Sequence, residues 1–223
     1  MPVIKLIITS DGSHSLLNEA LNETYHSVHG AIQESQHVFI NNGLRYFLGS
    51  TPSDHLSIFE VGFGTGLNTL LTLKAMENTK TLVRYVAVES FPIGEGLWGS
   101  LNYTTILGLE HTFANLHRSP WEIINQVSPQ VSLIKRRTTL QAIELEARSF
   151  DVVYFDAFAP NKQPELWTID ILRKVIEAMK LNGVFVTYCA KGQLKRDLKD
   201  LGLTVETLPG PPGKKEMVRA VKK

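Results

Sequence analysis

The residues of this chain best suited to binding a small molecule are three glycines at alternate positions, Gly62, Gly64 and Gly66. A mainly apolar run at 56–61 precedes them, and leucines at helical spacing follow at 67–73. This order is typical of a buried strand, a tight turn and a helix. A turn this tight needs positive φ values, and a cofactor that approaches its backbone closely leaves no room for a Cβ atom. The sequence therefore predicts a cofactor-binding turn.

The spacing of these glycines narrows the choice of cofactor. A dinucleotide-binding turn needs its third glycine at the sixth position, which Leu67 occupies here. Glu60 stands two residues before the first glycine, and the segment EVGFGTG resembles the first motif of S-adenosylmethionine-dependent methyltransferases. We therefore expect S-adenosylmethionine as the cofactor, with Glu60 and Asn68 beside the glycines in its site. A purely structural turn and a nucleotide-dependent oxidoreductase are the alternatives.

A second acid is expected at the end of the neighbouring strand. The apolar pattern at 83–89 predicts a strand that ends on Glu89. Ligands of doubly wound sheets bind at the carboxyl ends of the strands, where a carboxylate can accept hydrogen bonds from both ribose hydroxyls. Glu89 is therefore a candidate cofactor ligand, and an exposed glutamate without a ligand is the alternative. After the next predicted strand, at 131–135, Arg136, Arg137 and Thr138 replace the acid that many methyltransferases use for adenine.

The candidate catalytic residue is Asp156. The apolar run at 152–155 predicts a central strand, and Asp156 follows at its carboxyl end, within reach of the cofactor. Phe158 and Pro160 complete a D-x-F-x-P segment that resembles the motif of enzymes that methylate exocyclic amines. We expect Asp156 to touch both the cofactor and an amine, with Phe158 and Pro160 on the substrate side. Its expected role is to position the amine more than to act as a general base.

Strands and helices that position these residues alternate along the chain. The predicted fold is an α/β, seven-stranded, Rossmann-like methyltransferase sheet with a C-terminal antiparallel hairpin and an N-terminal β-hairpin extension. We expect residues 1–50 to form the hairpin and a substrate-side extension, and residues 51–223 the methyltransferase domain, with an insertion at about 90–130. In detail, the pattern predicts strands at 3–9, 184–189, 203–208 and 217–221, helices at 138–147, 164–181 and 191–201, an irregular chain from Leu16, and a turn at Asn182-Gly183.

Composition places the chain among ordinary globular proteins. Its 223 residues are 43% hydrophobic and 20% charged, which suits one α/β domain with a full core. A single cysteine excludes a disulfide framework, and His26, His29 and His37 lack companions at metal-ligand spacing, so no metal is expected. No apolar run approaches the roughly 18 to 20 residues of a membrane span, and the N-terminus lacks a signal-peptide pattern. These features predict a cytoplasmic protein without a membrane partner.

The C-terminal segment carries most of the positive charge. Residues 190–223 contain nine basic and four acidic side chains, a net charge of +5, whereas the whole chain has +1. Phosphate contacts supply most of the sequence-independent affinity for nucleic acids, so this segment suits a polyanionic partner. A solvated lysine-rich surface explains the charge equally well. Lys191, Lys214 and Lys215 are the substrate-binding candidates in this segment.

Several linked segments resemble one family of methyltransferases. SQHVF at 35–39, FEVGFGTGLNTL at 59–70, VESFP at 88–92, YFDAFAPNKQPELW at 154–167 and PGPPGKKEM at 209–217 look like the methyltransferase half of MnmC. The resemblance implies methyl transfer from S-adenosylmethionine to the amine of 5-aminomethyl-2-thiouridine at the wobble position of tRNA. It also implies that Gly62, Gly64, Gly66 and Glu89 bind the cofactor and that Asp156 lies at the amine.

One departure from that family concerns a further domain. The bifunctional members continue into a FAD-dependent oxidoreductase domain that removes a carboxymethyl group, whereas this chain ends at Lys223. We therefore expect a stand-alone methyltransferase, with no FAD domain, whose substrate arrives as the free aminomethyl form. Methylation of another amine and a non-catalytic RNA-binding role are the alternatives. The sequence does not indicate an oligomeric state.

Overall fold

The structure of the protein is a computed structural model that describes residues 3–223, with every side chain in that range except that of Glu110. The N-terminus forms a three-stranded antiparallel sheet of β1 (Ile4–Ile8), β2 (His14–Asn18) and β3 (Glu23–Thr24). The predicted hairpin is therefore confirmed. The irregular chain expected from Leu16 is wrong, because Leu16 is fully buried and pairs with Leu6, so its apolar side chain holds β2 in the sheet.

The main sheet contains eight strands. They are β4 (His55–Val61), β5 (Leu82–Val88), β6 (Asn125–Gln126), β7 (Val131–Arg136), β8 (Phe150–Phe155), β9 (Met179–Thr187), β10 (Leu203–Pro209) and β11 (Glu216–Lys222). Their spatial order is β10-β11-β9-β8-β4-β5-β7-β6. The central pairs from β9 to β7 are parallel, and the pairs made by β10, β11 and β6 at the two edges are antiparallel. The predicted methyltransferase sheet is thus confirmed, with the two-residue β6 as an additional edge strand.

Helices cover both faces of this sheet. One face packs against a helical stretch formed by α1 (Ala31–Ser35), a π-helical segment (Gln36–Arg45) and α2 (Tyr46–Ser50), and against α3 (Leu67–Met76). The region between β5 and β7 contains α4 (Glu95–Trp98), α5 (Tyr103–Leu107) and α6 (Glu110–Arg118), and the second face packs against α7 (Ile169–Ala178) and α8 (Gly192–Asp200). Because both faces are covered, all six residues of β8 are buried. Within residues 3–223, no helix is both long enough and apolar enough to cross a membrane.

The helix predicted at 138–147 is absent, and that prediction is wrong. The segment makes a single turn, in which the Ile143 N–H donates to Thr139 O at 3.0 Å. The next carbonyl oxygens, those of Leu140 and Gln141, accept hydrogen bonds from Lys174 Nζ of α7 at 3.1 and 2.7 Å. Leu140 and Ile143 are buried against the second face of the sheet. Tertiary contacts therefore override the helical spacing of the apolar residues.

The helix predicted at 164–181 is shorter than expected, and the turn predicted after it lies inside a strand. A 3-10 turn (Pro164–Leu166) precedes α7, and β9 begins directly after α7, at Met179. The pairing of β9 with β8 is irregular, and Asn182 adopts a left-handed φ of 63°. Asn182 and Gly183 therefore form a strand irregularity, and β9 joins the sheet earlier than the sequence pattern indicates.

Candidate active site

A cavity of about 840 Å³ opens at the carboxyl ends of β4, β5 and β8. Its volume falls within the range of roughly 300 to 1,000 Å³ that small-molecule sites occupy. The glycine turn after β4, residues of the N-terminal sheet and the loop after β8 line it. The sheet extends in opposite directions from the β4–β8 pair, which makes this edge its topological switch point. Such a point is where ligands bind in open α/β sheets.

The glycine turn has a left-handed backbone and packs closely against other parts of the protein. Gly62, Gly64 and Gly66 have φ values of 86°, 49° and 74°, a left-handed conformation that strains residues with side chains. A Cβ at Gly62 would lie 2.7 Å from Asp156 O, and one at Gly64 would lie 3.3 Å from the ring of Tyr25. Gly62 and Gly64 line the cavity. Gly66 does not; it precedes α3 and faces side chains of α6, so it supports the turn from behind.

Glu89 joins this turn to the end of β5. Its Oε2 accepts a hydrogen bond from the Gly64 N–H at 3.0 Å, and its Oε1 accepts one from the Phe91 N–H at 2.8 Å. Glu89 is half-buried and lines the cavity. Each carboxylate oxygen has capacity for a second hydrogen bond. The acid predicted to bind ribose therefore lies beside the glycine turn with acceptor capacity to spare.

Glu60 occupies a different place from the other cofactor candidates. It is fully buried beneath the turn and is not among the residues that line the cavity. Thr69 Oγ1 of α3 donates a hydrogen bond to Glu60 Oε2 at 3.1 Å. Burial above all raises the pKa of Glu60 to about 8. The direct cofactor contact expected for Glu60 is therefore replaced by a supporting position, because its side chain points from β4 toward α3 and not into the cavity.

Asp156 and Asn68 meet in the wall of the cavity. Asn68 Nδ2 donates a hydrogen bond to Asp156 Oδ2 at 2.8 Å, and both residues line the cavity. The Asp156 N–H donates to Val61 O at 3.1 Å, which ties the end of β8 to the glycine turn. Burial above all, and then the negative charge of Glu34, raises the pKa of Asp156 to about 7, against opposite contributions from Asn68 and Lys214. At neutral pH this carboxyl is divided between its charged and neutral forms.

A partly buried ion pair lies in the same cavity, and sequence reasoning missed its acid. Glu34 of α1 is only 4% exposed and accepts hydrogen bonds from Lys214 Nζ and from the Ser27 N–H, the latter at 2.6 Å. Lys214 Nζ also lies 3.8 Å from the centre of the Tyr188 ring. Lys214 thus lines the cavity as a predicted substrate-side residue. Glu34 gave no signal in the sequence, since its partner is 180 positions away.

Aromatic side chains form another part of the wall near Asp156. The rings of Phe158 and Tyr25 meet edge to face, with centres 5.0 Å apart. Trp167 Nε1 donates to Phe158 O at 2.8 Å, and the Tyr188 hydroxyl donates to the preceding carbonyl at 2.9 Å. The loop after Asp156 is therefore fixed at two points. A pocket of this kind can hold a planar ring beside a carboxyl group.

Three predicted substrate residues, Pro160, Lys191 and Lys215, do not line the cavity. Pro160 lies in the loop that follows Phe158, and the two lysines are exposed. Other basic side chains of the C-terminal segment form ion pairs within the chain, namely Lys195 with Glu216 at 2.8 Å and Arg219 with Glu206 at 2.7 Å. Part of the positive charge at 190–223 is therefore used to hold the fold together.

The histidines of the N-terminal region make hydrogen bonds within the protein. His26 Nε2 bonds with Thr65 Oγ1 at 2.8 Å, and His37 Nε2 bonds with Pro209 O at 2.9 Å. Burial lowers the pKa of His26 to about 4, so its ring is neutral at pH 7. Across residues 3–223, no three His, Cys, Asp or Glu side chains gather where they could share a metal ion.

The cavity thus offers two neighbouring subsites. At the glycine turn, backbone without side chains at the cavity wall and the acceptor oxygens of Glu89 suit a nucleoside with two free hydroxyls. At Asp156, the two acidic side chains and the aromatic rings suit an amine carried on a planar group. A nucleoside-linked methyl donor beside an amine acceptor is the chemistry that joins these subsites.

Comparisons with known proteins agree with this chemistry. Residues 115–223 match a family model described as S-adenosyl-L-methionine-dependent methyltransferase. The tRNA 5-methylaminomethyl-2-thiouridine biosynthesis bifunctional protein MnmC of Burkholderia multivorans is 31% identical, over 96% of this chain and 34% of its own length. MnmC of Magnetococcus marinus is 30% identical, over 88% of this chain and 31% of its own length. The chain thus spans about a third of the length of these curated relatives.

A solved structure is similar to the whole chain. The crystal structure of MnmC2 from Aquifex aeolicus matches with a TM-score of 0.82 and 29% sequence identity. The match covers 100% of this chain and 71% of that chain. These findings identify the chain as an S-adenosylmethionine-dependent methyltransferase that is similar to MnmC over nearly its whole length.

Proposed function

We propose that this methyltransferase acts on tRNA and converts the aminomethyl group of a wobble 5-aminomethyl-2-thiouridine to methylaminomethyl. The biosynthesis for which the MnmC relatives are named supports this substrate. The single observation that carries the proposal is the placement of two acids, Asp156 and Glu34, beside one lysine in the cavity. Because tRNA is a cytoplasmic molecule, the proposal also implies a cytoplasmic enzyme.

The charges around Asp156 favour an amine as the methyl acceptor. An arriving amine is attracted by the Asp156 carboxylate, whereas a carboxylate group is repelled by both Asp156 and Glu34. Lys214 is already engaged by Glu34 and by the face of the Tyr188 ring. The proposal therefore includes discrimination against the carboxymethylaminomethyl form of the same uridine, because its additional carboxylate meets this acidic wall.

Methyl transfer requires the neutral form of the amine. With a lysine-like pKa near 10.4, about one amine in 2,500 is neutral at pH 7, a handicap of about 4.6 kcal/mol at 1.36 kcal/mol per unit. A carboxylate stabilises the ammonium form, but it can also take the proton when its own pKa lies near the working pH. The pKa of Asp156, about 7, meets that condition. We assign to Asp156 the positioning of the amine and the acceptance of its proton.

The residues that would hold the cofactor are Gly62, Gly64, Glu89 and Asn68. S-adenosylmethionine supplies a methyl group activated by a positively charged sulfur. The two glycines place backbone without side chains at the cavity wall, and Glu89 has the acceptor capacity that ribose hydroxyls need. Asn68 keeps the Asp156 carboxylate beside the glycine turn, so the amine is held next to the methyl donor.

Mass analysis of tRNA nucleosides tests this proposal. Unmodified, aminomethylated and carboxymethylaminomethylated tRNA are each incubated with the protein and S-adenosylmethionine that carries a labelled methyl group. We expect label only in the aminomethylated tRNA, in the modified uridine. Label in the unmodified tRNA would contradict specificity for the aminomethyl group. Label in none of them, with label in a polyamine or free nucleoside tested in parallel, would assign the activity to a different amine.

A further inference from the structure

Thr65, which lies between the last two glycines of the turn, is held from two sides by histidines outside the main sheet. Its Oγ1 bonds with His26 Nε2 of the N-terminal region at 2.8 Å, and its carbonyl oxygen bonds with His117 Nε2 of α6 at 3.0 Å. Thr65 is buried and lines the cavity, as does His26. His117 is not among the residues that line the cavity, so it contacts the turn from behind.

The carbonyl group of Thr65 needs such a partner because a glycine follows it. Gly66 has a φ of 74° here, but without a Cβ it can also adopt negative φ values. The peptide group that joins Thr65 to Gly66 could therefore rotate, which would exchange the positions of its C=O and its N–H. Two hydrogen bonds oppose this rotation. The Gly66 N–H donates to Phe63 O at 2.8 Å, and His117 Nε2 donates to Thr65 O.

The ring of His117 is fixed in the orientation that this bond requires. It stacks on the ring of Trp98 of α4, with ring centres 4.9 Å apart and an interplanar angle of 10°. It also meets the rings of Phe113 and Phe63 edge to face, at 4.8 and 5.4 Å. A carbonyl oxygen can only accept, so the single N–H of the neutral ring must be on Nε2. Burial lowers the pKa of His117 to about 4, which keeps the ring neutral at pH 7.

The end of α6 that carries His117 is itself anchored to the sheet. Lys135 of β7 is fully buried, and its Nζ donates hydrogen bonds to the carbonyl oxygens of Leu116 and His117, both at 2.8 Å. These carbonyls belong to the last turn of α6, where a cation interacts favourably with the helix dipole. Gly66 permits the close contact, because a Cβ there would lie only 3.0 Å from His117 Nε2. The ring therefore reaches the turn at a fixed position.

We propose that His117 is a positioning residue of the cofactor site, and that its hydrogen bond to Thr65 keeps the glycine turn in the conformation that binds S-adenosylmethionine. When a binding-competent conformation is only partly populated, the apparent affinity falls by that fraction. His117 therefore controls cofactor affinity from outside the cavity. The inference depends on the cofactor of the family and not on the proposed tRNA substrate.

Calorimetric titration with S-adenosylmethionine tests the proposal in a pair of variants. His117→Phe keeps an aromatic ring against Trp98 but has no N–H, whereas His117→Gln loses the ring but can place an amide N–H at the same site. We expect the Kd to rise about three- to tenfold in His117→Phe and to stay within about twofold of the wild type in His117→Gln. At saturating cofactor, kcat should stay near the wild-type value in both. His111→Phe, the same change at an exposed position of α6, should leave the Kd unchanged.

Three results would overturn the proposal. One is an unchanged Kd in His117→Phe, and another is a loss of kcat that saturating cofactor does not restore. The third is an equal rise of Kd in His117→Phe and His117→Gln, because ring packing and not the hydrogen bond would then be responsible.

Hydrogen–deuterium exchange separates this role from a general loss of stability. In cofactor-free His117→Phe, exchange should increase at residues 62–68 and not in β8, and added cofactor should reverse the increase. An increase of the same size in both segments would contradict the proposal.

Nitrogen NMR of the wild-type histidines keeps the proposal testable where a variant fails to fold. We expect the proton of the neutral His117 ring on Nε2 at pH 7, and a proton on Nδ1 instead would overturn the hydrogen bond to Thr65. The titration, exchange and NMR measurements need no tRNA. A protein that gives the expected results in them, but leaves aminomethylated tRNA unlabelled, would contradict only the proposed function.

Discussion

The two halves of the cavity are held together in different ways. The cofactor half lies within residues 62–91, and backbone N–H groups of Gly64 and Phe91 hold Glu89 in place. The amine half combines Glu34, Asp156 and Lys214, which come from three distant parts of the chain. Side-chain contacts hold it, in particular the pairing of Glu34 with Lys214. One half is thus a local backbone cradle, and the other is an assembly of ionisable side chains.

This difference predicts which property each half controls. A backbone cradle depends on few side chains, so cofactor affinity should survive most changes at the amine half. Ionisable groups in a shared buried site alter one another's pKa, so the rate of methyl transfer should depend on pH and on each acid. Variants in the cofactor half should therefore change the Kd for the cofactor, and variants in the amine half the rate of methyl transfer. A variant that changes both constants would show that the halves are coupled.

Asp156→Ala should have the largest effect. It removes the group that holds the amine and accepts its proton, and loss of such a group lowers the rate by about 10²- to 10⁴-fold. Single-turnover methyl transfer to aminomethylated tRNA measures this loss. Calorimetric titration with S-adenosylmethionine should show cofactor affinity close to that of the wild type. Asp156→Asn is the matched control, because it keeps the shape but cannot accept a proton, so it should also lose most of the rate. Loss of cofactor binding along with the rate would count against the role assigned to Asp156.

Glu89→Ala should have the complementary effect, on affinity and not on rate. Hydrogen bonds to a charged group contribute about 1.5–3 kcal/mol, so Kd for S-adenosylmethionine should rise about 10- to 150-fold. At saturating cofactor, kcat should stay near the wild-type value. Glu89→Gln keeps one acceptor oxygen, so its Kd should lie between those of the wild type and Glu89→Ala. A fall in kcat that saturation does not restore would mean that Glu89 also shapes the amine half, and the contrast between the halves would fail.

The cofactor half could be predicted from the sequence because its determinants are local. The strand, the glycine turn, the leucine-rich α3 and the acid after the next strand follow one another along the chain, and each formed as expected. Glu60 is the exception that shows the limit. It stands next to the turn in sequence, but side chains alternate across a strand, and its side chain points away from the cavity. Sequence proximity to the turn did not determine on which side of β4 it lies.

The amine half could be predicted only at Asp156 and the loop that follows it. Glu34 stands in a polar helical stretch, and only the fold brings it to Lys214. Tyr25 reaches the same wall from the end of the N-terminal sheet and meets Phe158 there. The absent helix at 138–147 has a similar cause, since this segment contacts a lysine of α7 and packs against the second face of the sheet. Contacts between distant segments leave no periodic pattern in the sequence.

Replacing Glu34 and replacing Lys214 should shift the pH profile of catalysis in opposite directions. Methyl transfer should rise with pH as Asp156 loses its proton, with a midpoint near pH 7. Glu34→Gln removes a negative charge that raises the pKa of Asp156, so the midpoint should move to lower pH. Lys214→Met removes a positive charge that lowers this pKa, so the midpoint should move to higher pH. Shifts of up to about one pH unit are expected, measured as kcat/KM from pH 5 to 9.

Lys215→Met is the matched control for these profiles, since it removes an adjacent exposed lysine that does not line the cavity. Its midpoint should stay at the wild-type value. If the midpoint moved in the same direction in Glu34→Gln and in Lys214→Met, the rise of kcat/KM with pH would not follow the ionisation of Asp156. The free energy of unfolding also depends on the pKa of Asp156. The folded state raises this pKa above 3.8, so the contribution of Asp156 to stability is full below about pH 3.8 and is lost as pH rises through about 7. Asp156→Asn should remove that loss from thermal unfolding curves.

The smallest effect is expected at Lys191 and Lys215, outside both halves of the cavity. Lys191 follows β9 at the carboxyl edge of the sheet, and Lys215 adjoins Lys214, so both exposed amines stand at the edge where a tRNA anticodon would enter. Each substitution by alanine should raise KM for tRNA modestly and lower the slope of log KM against log salt by about 1, while kcat and cofactor affinity stay unchanged. Lys80→Ala, at the opposite edge before β5, should leave the slope unchanged. Slopes equal to the wild-type slope in all three variants would mean that tRNA phosphates bind elsewhere. The positive charge of the C-terminal segment would then only stabilise the fold.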